Sequence, residues 1–283
     1  MGVATMSIAP LTPAIGGVVE GIELAKPFDD ETVAALRHGL LAHKVLFFRS
    51  QPMTEDEQVR LAGCFGEIDL PLFRTASSGR PEVLVLDQVA PRGEGADSWH
   101  ADNTYMETPP MASILQAVRL PDVGGDTCFA SMEAAYDALS SPMQQFLDGL
   151  TAVHSLEIMA ERTRHVANAS LRDEVAKWPP VVHPVVRIHP ETGRRMLNVN
   201  ANWTSHILEL SRAEGDALLR FLYQHLQAPE FQVRFHWEEG SVAIWDNRAV
   251  QHYAVPDYNE RRVMQRVTIA GDRPFGPDRS GAP

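Results

Sequence analysis

The sequence predicts a mainly β chain with α-helices flanking its strands and inserted among them. Three observations carry that class. Short apolar or alternating segments of strand character stand near both ends, at 18–24 and 45–48 and again at 231–237, 241–246 and 263–270. Helix starts lie between them: Thr54 with Glu57, and Ser211 with Glu214, are capping boxes. No internal repeat, low-complexity tract or linker interrupts the chain, so residues 1–283 read as one domain whose two ends share a core.

The elements follow in order. Residues 18–24 come after a start punctuated by Pro and Gly. Asp29-Asp30-Glu31 opens a helix, because carboxylates suit its positive end, and Val33, Leu36, Leu40 and Leu41 give it an apolar stripe. The run Val45-Leu46-Phe47-Phe48 is of the kind that fills a buried strand. The helix begun at Thr54 continues through Val59, Leu61 and Phe65. A strand at 82–86 runs into a loop, 88–95, that leads to Trp99-His100. Residues 111–120 form a strand, 121–126 a turn, and 127–129 leave it extended. Helices follow at 131–139 and 142–150. Residues 161–178 are polar and weakly periodic, which reads as a helical insertion or a lid, spanning about 155–182, rather than core. Alternation at 182–188 and 195–200 around the turn Pro190-Glu191-Thr192-Gly193 predicts a hairpin. The helix from Ser211 runs to Leu226.

Composition narrows the function classes. Hydrophobic residues at 44% and charged residues at 22% are those of an ordinary globular protein. With 37 acidic against 25 basic side chains the net charge is −12, which disfavours nucleic acid and anionic membrane as partners. The N-terminus has no secretory pattern, and no apolar run reaches membrane-spanning length. Cys64 and Cys128 lack C-x-x-C spacing, so a reduced cytoplasmic protein is expected, with one disulfide left open.

The chemistry gathers in two places. Trp99-His100-Ala101-Asp102 follows the 88–95 loop, and Trp245-Asp246-Asn247-Arg248 leads to His252 and on to Arg262 and Arg266. Two histidines and one carboxylate can occupy one face of an octahedral metal, as in non-haem Fe(II) oxygenases. A surface His beside a turn Asp is the plain alternative for His100 and Asp102. Period two on 263–270 puts Arg262, Met264, Arg266 and Thr268 on one face, and the more apolar Val263, Val267 and Ile269 on the other. Two arginines on one sheet face stand either in solvent or in a polar cavity holding anions. Arginine's planar fork suits a fixed carboxylate, and Thr127 offers a hydroxyl to the same anion. The remaining histidines read as structural.

Taken together, Trp-His-x-Asp, Gly124-Gly125-Asp126-Thr127, Trp-Asp-Asn-Arg-x-x-x-His, Asp257-Tyr258 and the closing arginines resemble the taurine dioxygenase family of Fe(II)/2-oxoglutarate-dependent oxygenases. The resemblance covers nearly the whole chain. It implies a double-stranded β-helix, or jelly-roll, core with the metal at its open end. It further implies that His100, Asp102 and His252 bind Fe(II), and that Arg262 and Thr127 hold the far carboxylate of 2-oxoglutarate. Arg266 would grip the anionic group of the substrate, and Trp245 would pack near the metal. O2 is the second cosubstrate, and succinate and CO2 are released as a small organic acid is hydroxylated. Relatives of this kind are often dimers or tetramers, so a homo-oligomer is expected.

The chain departs from the taurine-using pattern. Where those members place a histidine and a tyrosine against substrate, this sequence has Leu70 and Phe73, and Ala96 stands at an asparagine position. The pocket is therefore less polar than one built for a small zwitterion, which argues against taurine. A sulfonate, sulfate ester or carboxylate of larger or less polar body is expected, with Tyr105 and Asn200 or Trp203 as further pocket walls. Two other readings stand beside the oxygenase: a jelly-roll protein that binds metal or ligand without turnover, and a zinc hydrolase on the same three ligands, which would leave Arg262 and Thr127 without a task.

Overall fold

The structure, a computed structural model, describes residues 6–72, 79–89, 96–163 and 175–277. Near the N-terminus β1 (Ser7–Pro10) and β2 (Gly17–Glu20) pair antiparallel, and β2 runs parallel to β3 (Val45–Phe48). Between them lies α1 (Asp30–His43). The Asp29 carboxylate accepts the Thr32 N–H at its start, and Lys44 closes it in the left-handed region at φ 67°. The helix α2 (Glu55–Gly63) carries the Thr54/Glu57 capping box, as expected. Phe65 falls beyond its end.

The large sheet runs β1-β2-β3-β14-β6-β16-β4, with β5 also paired to β16. Its later members are β4 (Ile68–Asp69), β5 (Leu84–Val89), β6 (Ala112–Arg119), β14 (Val242–Asp246) and β16 (Arg261–Ile269). Facing it is a three-stranded sheet of β7 (Thr127–Ser131) between β13 (Gln232–Phe235) and β15 (Val250–Ala254). These two facing sheets are the jelly-roll core, and neither closes on itself.

Period two explains why the central strands are apolar on both faces. Val45, Phe47, Ala243, Trp245 and Met264 point into the core between the sheets. Their neighbours Leu46, Phe48, Val242, Ile244 and Val267 point outward to meet Leu36 and Leu40 of α1 and Leu61 of α2. Leu36 is fully buried, and burial of such a side chain contributes about 1.5–3 kcal/mol.

A second region inserts between β7 and β13. It holds α3 (Met132–Asp137), α4 (Ser141–Leu147), β8 (Thr151–His154), α5 (Leu156–Arg162), β9 (Val181–Pro184), β10 (Val186–Ile188), β11 (Arg195–Leu197), β12 (Thr204–Ile207) and α6 (Arg212–His225). The predicted hairpin exists as β10–β11, but its first arm breaks at Val185, whose N–H donates to Leu150 O. The earlier half, β9, joins β8 and β12 in a separate sheet.

Other expected bounds shift for local reasons. The strand expected over 18–24 stops at Glu20, because Gly21 turns the chain at φ 78°. The strand expected at 82–86 begins later, at Leu84, after a turn in which Val83 N–H donates to Arg80 O. The chain closes on four strands where three were expected. Residues 250–254, too short and mixed to stand out in sequence, pair along β7.

Candidate active site

The centre of the site is one β-bridge. His100 N–H donates to His252 O at 3.1 Å and His252 N–H returns to His100 O at 2.8 Å, although His100 lies on a loop. The bridge sets the two imidazoles 4.2 Å apart between ring centres. Asp102 then turns its Oδ1 to 3.8 Å from Nε2 of both rings. One ligand atom from each of the three residues lies within 4.8 Å of the others, and all three side chains are buried.

Each donor is aimed. His100 Nδ1 lies 2.7 Å from Ser98 O, so that nitrogen carries the hydrogen and Nε2 presents a lone pair. Asp102 Oδ2 accepts the Ser113 hydroxyl at 3.1 Å, and Oδ1 accepts Arg266 Nη1 at 3.0 Å. His252 packs against Trp245, with ring centres 4.8 Å apart, and against Phe129.

Burial, with His100 and Arg266 adding to it and Asp102 opposing, pushes the His252 pKa down to about 3. Burial also lowers His100, against the pull of Asp102. For Asp102 burial works the other way, but Arg266, His252 and His100 together outweigh it and hold the carboxyl at about 2. At neutral pH the set is therefore two neutral imidazoles and one carboxylate, the protonation state a divalent metal requires.

The segment that carries His100 and Asp102 is held by side chains from distant elements. Trp203 Nε1–H donates to Ala101 O at 2.8 Å. The Asn247 amide holds both backbone groups of Asp102. Asn200 Nδ2–H donates to Thr104 Oγ1, which also meets His154 Nδ1. His183 Nε2 lies 2.9 Å from Met106 O.

Four buried histidines (100, 154, 183 and 252) have pKa values lowered chiefly by burial. Unfolded histidine takes up protons below about pH 6.5, and the folded state resists them. The unfolded chain then binds more protons, so stability falls as pH drops through that range. The urea midpoint of metal-free protein is expected to be lower at pH 5 than at pH 7.5. An unchanged midpoint would contradict the neutral buried histidines.

Beside the ligands lies a cavity of about 400 Å³ lined by His100, Asp102, His252, Arg262, Arg266 and Thr127, the size of a small-molecule site. The predicted arginine face of β16 is the one that looks into it. Arg262 is buried, and its Nε and Nη2 meet no acceptor among the described residues. Burial lowers its pKa, with Tyr258 opposing. The Gly-Gly turn makes room for it. Gly125 has φ +74°, and a Cβ there would stand 3.1 Å from Arg262 Nε. Thr127 Oγ1 accepts Trp237 Nε1–H at 3.0 Å, which leaves its own hydrogen to donate elsewhere.

The far wall is apolar. Tyr105 is buried between Trp203 and Trp178, at ring distances of 4.8 and 5.6 Å. Met106, Met159 and Leu72 extend this patch. Leu70 lines the rim and is 57% exposed. Phe73 lies outside the described residues, as does 164–174 of the predicted lid, while Met159 and Trp178 from its described ends line the cavity.

Asn200, expected as a pocket wall, is instead behind it. Its amide is consumed by Thr104 and by the N–H groups of Asn202 and Trp203, and the cavity is lined by Trp203 and Asn202. Trp203, the other expected wall, does line the cavity, whereas sequence reading missed the roles of Ser113, Trp178 and Asn247. Only Asn247 carried a signal, its place within Trp-Asp-Asn-Arg.

A family model described as taurine catabolism dioxygenase TauD, TfdA family matches residues 7–268. The chain is 39% identical over 280 residues to an alpha-ketoglutarate-dependent sulfate ester dioxygenase of Pseudomonas putida, covering 96% of this chain and 92% of that protein. It is 36% identical over 274 residues to an alkylsulfatase of Acinetobacter baylyi, covering 94% and 86%. Among solved structures it is similar to a taurine dioxygenase from Burkholderia xenovorans, with TM-score 0.83 and 38% identity, covering 96% of this chain and 92% of that one.

Proposed function

Because this chain belongs to the TauD, TfdA family of dioxygenases, we propose that the cavity is the active site of an Fe(II)- and 2-oxoglutarate-dependent dioxygenase acting on an organic acid with an apolar body, foremost an alkyl sulfate ester. His100, Asp102 and His252 hold the iron. Arg262 and Thr127 hold the distal carboxylate of 2-oxoglutarate, and Arg266 takes the anionic end of the substrate.

The observation that carries this reading is the Arg262 guanidinium, buried without an acceptor for two of its nitrogens beside three converged metal donors. Tyr258 faces the guanidinium, but a buried cation with no carboxylate partner among the described residues is costly, and a dicarboxylic cosubstrate supplies that partner. Neither a hydrolase nor a passive metal binder needs it. Fe(II) with 2-oxoglutarate supplies the oxidising chemistry, converting O2 and cosubstrate to succinate and CO2 while a substrate C–H is hydroxylated.

The protein's own residues bind, orient and exclude water. Arg262 and Arg266 stand on one face of β16 and so fix the spacing between cosubstrate and substrate anions. Tyr105, Trp203, Trp178 and Met159 give the substrate a dry wall, which favours an alkyl or aryl body over taurine. Hydroxylation of the carbon bearing a sulfate oxygen gives a hemiacetal-like ester that expels sulfate and leaves an aldehyde. Met159 and Trp178, from the described ends of the segment expected to form a lid, stand over the substrate in this reading. A cytoplasmic setting fits the two free cysteines.

The test is an anaerobic titration of Fe(II)-loaded protein with 2-oxoglutarate, followed by its visible charge-transfer band. Hexyl sulfate is expected to shift that band, and taurine is not. Iron bound with no band on adding 2-oxoglutarate would return the chain to the metal-binding class.

A further inference from the structure

We infer that Asn247 is the positioning residue that holds Asp102 in metal-binding geometry. The inference rests on Asp102 being a metal ligand, as proposed above, and assigns a task to a residue that touches no metal.

The Asn247 side chain is buried and fully used. Its Oδ1 accepts the Asp102 N–H at 2.7 Å. Its Nδ2 donates to Asp102 O at 3.0 Å and to Pro110 O at 3.1 Å. The orientation of the amide is forced, since an N–H can only donate and two carbonyls can only accept. One side chain thus pairs with both backbone groups of one residue, as a neighbouring strand would.

Asp102 needs such a partner. The bridge to β15 ends at His100, and Asn103 immediately after leaves in the left-handed region at φ 52°. Ser113 and Arg266 hold the carboxylate oxygens, whereas the Asp102 N–H and C=O have no strand partner and are paired by Asn247.

Asn247 is itself rigidly mounted. Its N–H donates to Met111 O at 2.8 Å. On its two sides Asp246 and Arg248 form a buried ion pair at 2.7 Å, joined by His189 at 2.9 Å and Glu191 at 2.8 Å. The His189 ring is fixed as well. Its Nδ1 accepts the Glu191 and Thr192 N–H groups, so Nε2–H donates to Asp246. The Trp-Asp-Asn-Arg motif thereby reads as a mount for one amide.

The test measures Co(II) affinity and the Co(II) d–d spectrum of the full chain well below its thermal midpoint. The variants are Asn247→Ala, which removes the clamp, and Asn247→Asp, which turns an oxygen toward two carbonyl oxygens. Both are expected to weaken Co(II) binding by roughly 10–100-fold, the usual cost of losing an outer partner of a metal ligand, and to alter the spectrum. Gln51→Ala serves as the control. Gln51 makes the same kind of amide clamp, to Leu24 N–H and Ile22 O, far from the site. It is expected to lower the thermal midpoint and leave Co(II) affinity unchanged.

Wild-type affinity and spectrum in whichever Asn247 variant folds would overturn the inference, as would an equal loss of affinity in Gln51→Ala. Failure of both Asn247 variants to fold while Gln51→Ala folds would also overturn it, by making Asn247 a requirement of the fold. Asp102→Ala separates the two readings. If it keeps full Co(II) affinity, the ligand assignment falls. If it loses the metal while the Asn247 variants keep it, only the positioning role falls.

Discussion

Arg262→Met should raise the 2-oxoglutarate concentration needed for half-saturation by about 30-fold to several thousand-fold, since truncating one partner of a buried, hydrogen-bonded charge pair costs about 2–5 kcal/mol and each 1.4 kcal/mol is tenfold. The sign of the accompanying stability change is the sharper test. In the ligand-free protein the Arg262 guanidinium is buried with two nitrogens lacking acceptors among the described residues. Methionine fills similar space without that burden, so the ligand-free variant is expected to unfold at a temperature equal to or above wild type. Calorimetric titration with 2-oxoglutarate and a thermal melt decide the matter together. An unchanged cosubstrate requirement would remove Arg262 from the site.

His252→Ala is expected to abolish iron binding at micromolar metal, a larger loss than any outer partner produces. It removes one of three donors and leaves His100 and Asp102 unable to occupy a full coordination face. The same change hollows a packed region, because the ring rests on Trp245 and Phe129. A fall in ligand-free stability of about 1–3 kcal/mol is therefore expected as well. Iron content after gel filtration, measured beside a melt of the same sample, separates the two effects. Stoichiometric iron in a folded variant would place the metal elsewhere.

The convergence of His100, Asp102 and His252 was legible through the ordered motifs of the family resemblance, and the shared face of the two arginines through period two. Alternation alone places Arg262 and Arg266 on one face of β16, and the second glycine of the Gly-Gly turn, Gly125, is explained by the Arg262 side chain it accommodates. The pocket wall was legible only in part: Tyr105 and Leu70 were expected there, Trp203 only as an alternative to Asn200, and Trp178 not at all. Trp203 and Trp178 reach Tyr105 only because the inserted region folds back over the ligand loop, a tertiary fact without periodicity in the sequence. Asn200 was misplaced for the same reason. A buried amide near the site reads alike whether it faces ligand or braces a loop, and only its hydrogen-bond partners tell the two apart. The short strand that carries His252 escaped notice because five mixed residues give too weak a pattern, and pairing with β7 decides its state.

The bridge between His100 and His252, and the clamp across the 145 residues from Asp102 to Asn247, have a further consequence for the life of the protein. No short stretch of the chain contains all three proposed donors, so the proposed iron site exists only in the folded molecule. A ligand bound by the native state alone stabilises it by about 2.7 kcal/mol at a hundred times its dissociation constant. Iron scarcity should then raise the population of opened chains, and with it the rate at which a protease clears them. The amount of this enzyme a cell retains should follow its iron supply without any change in synthesis.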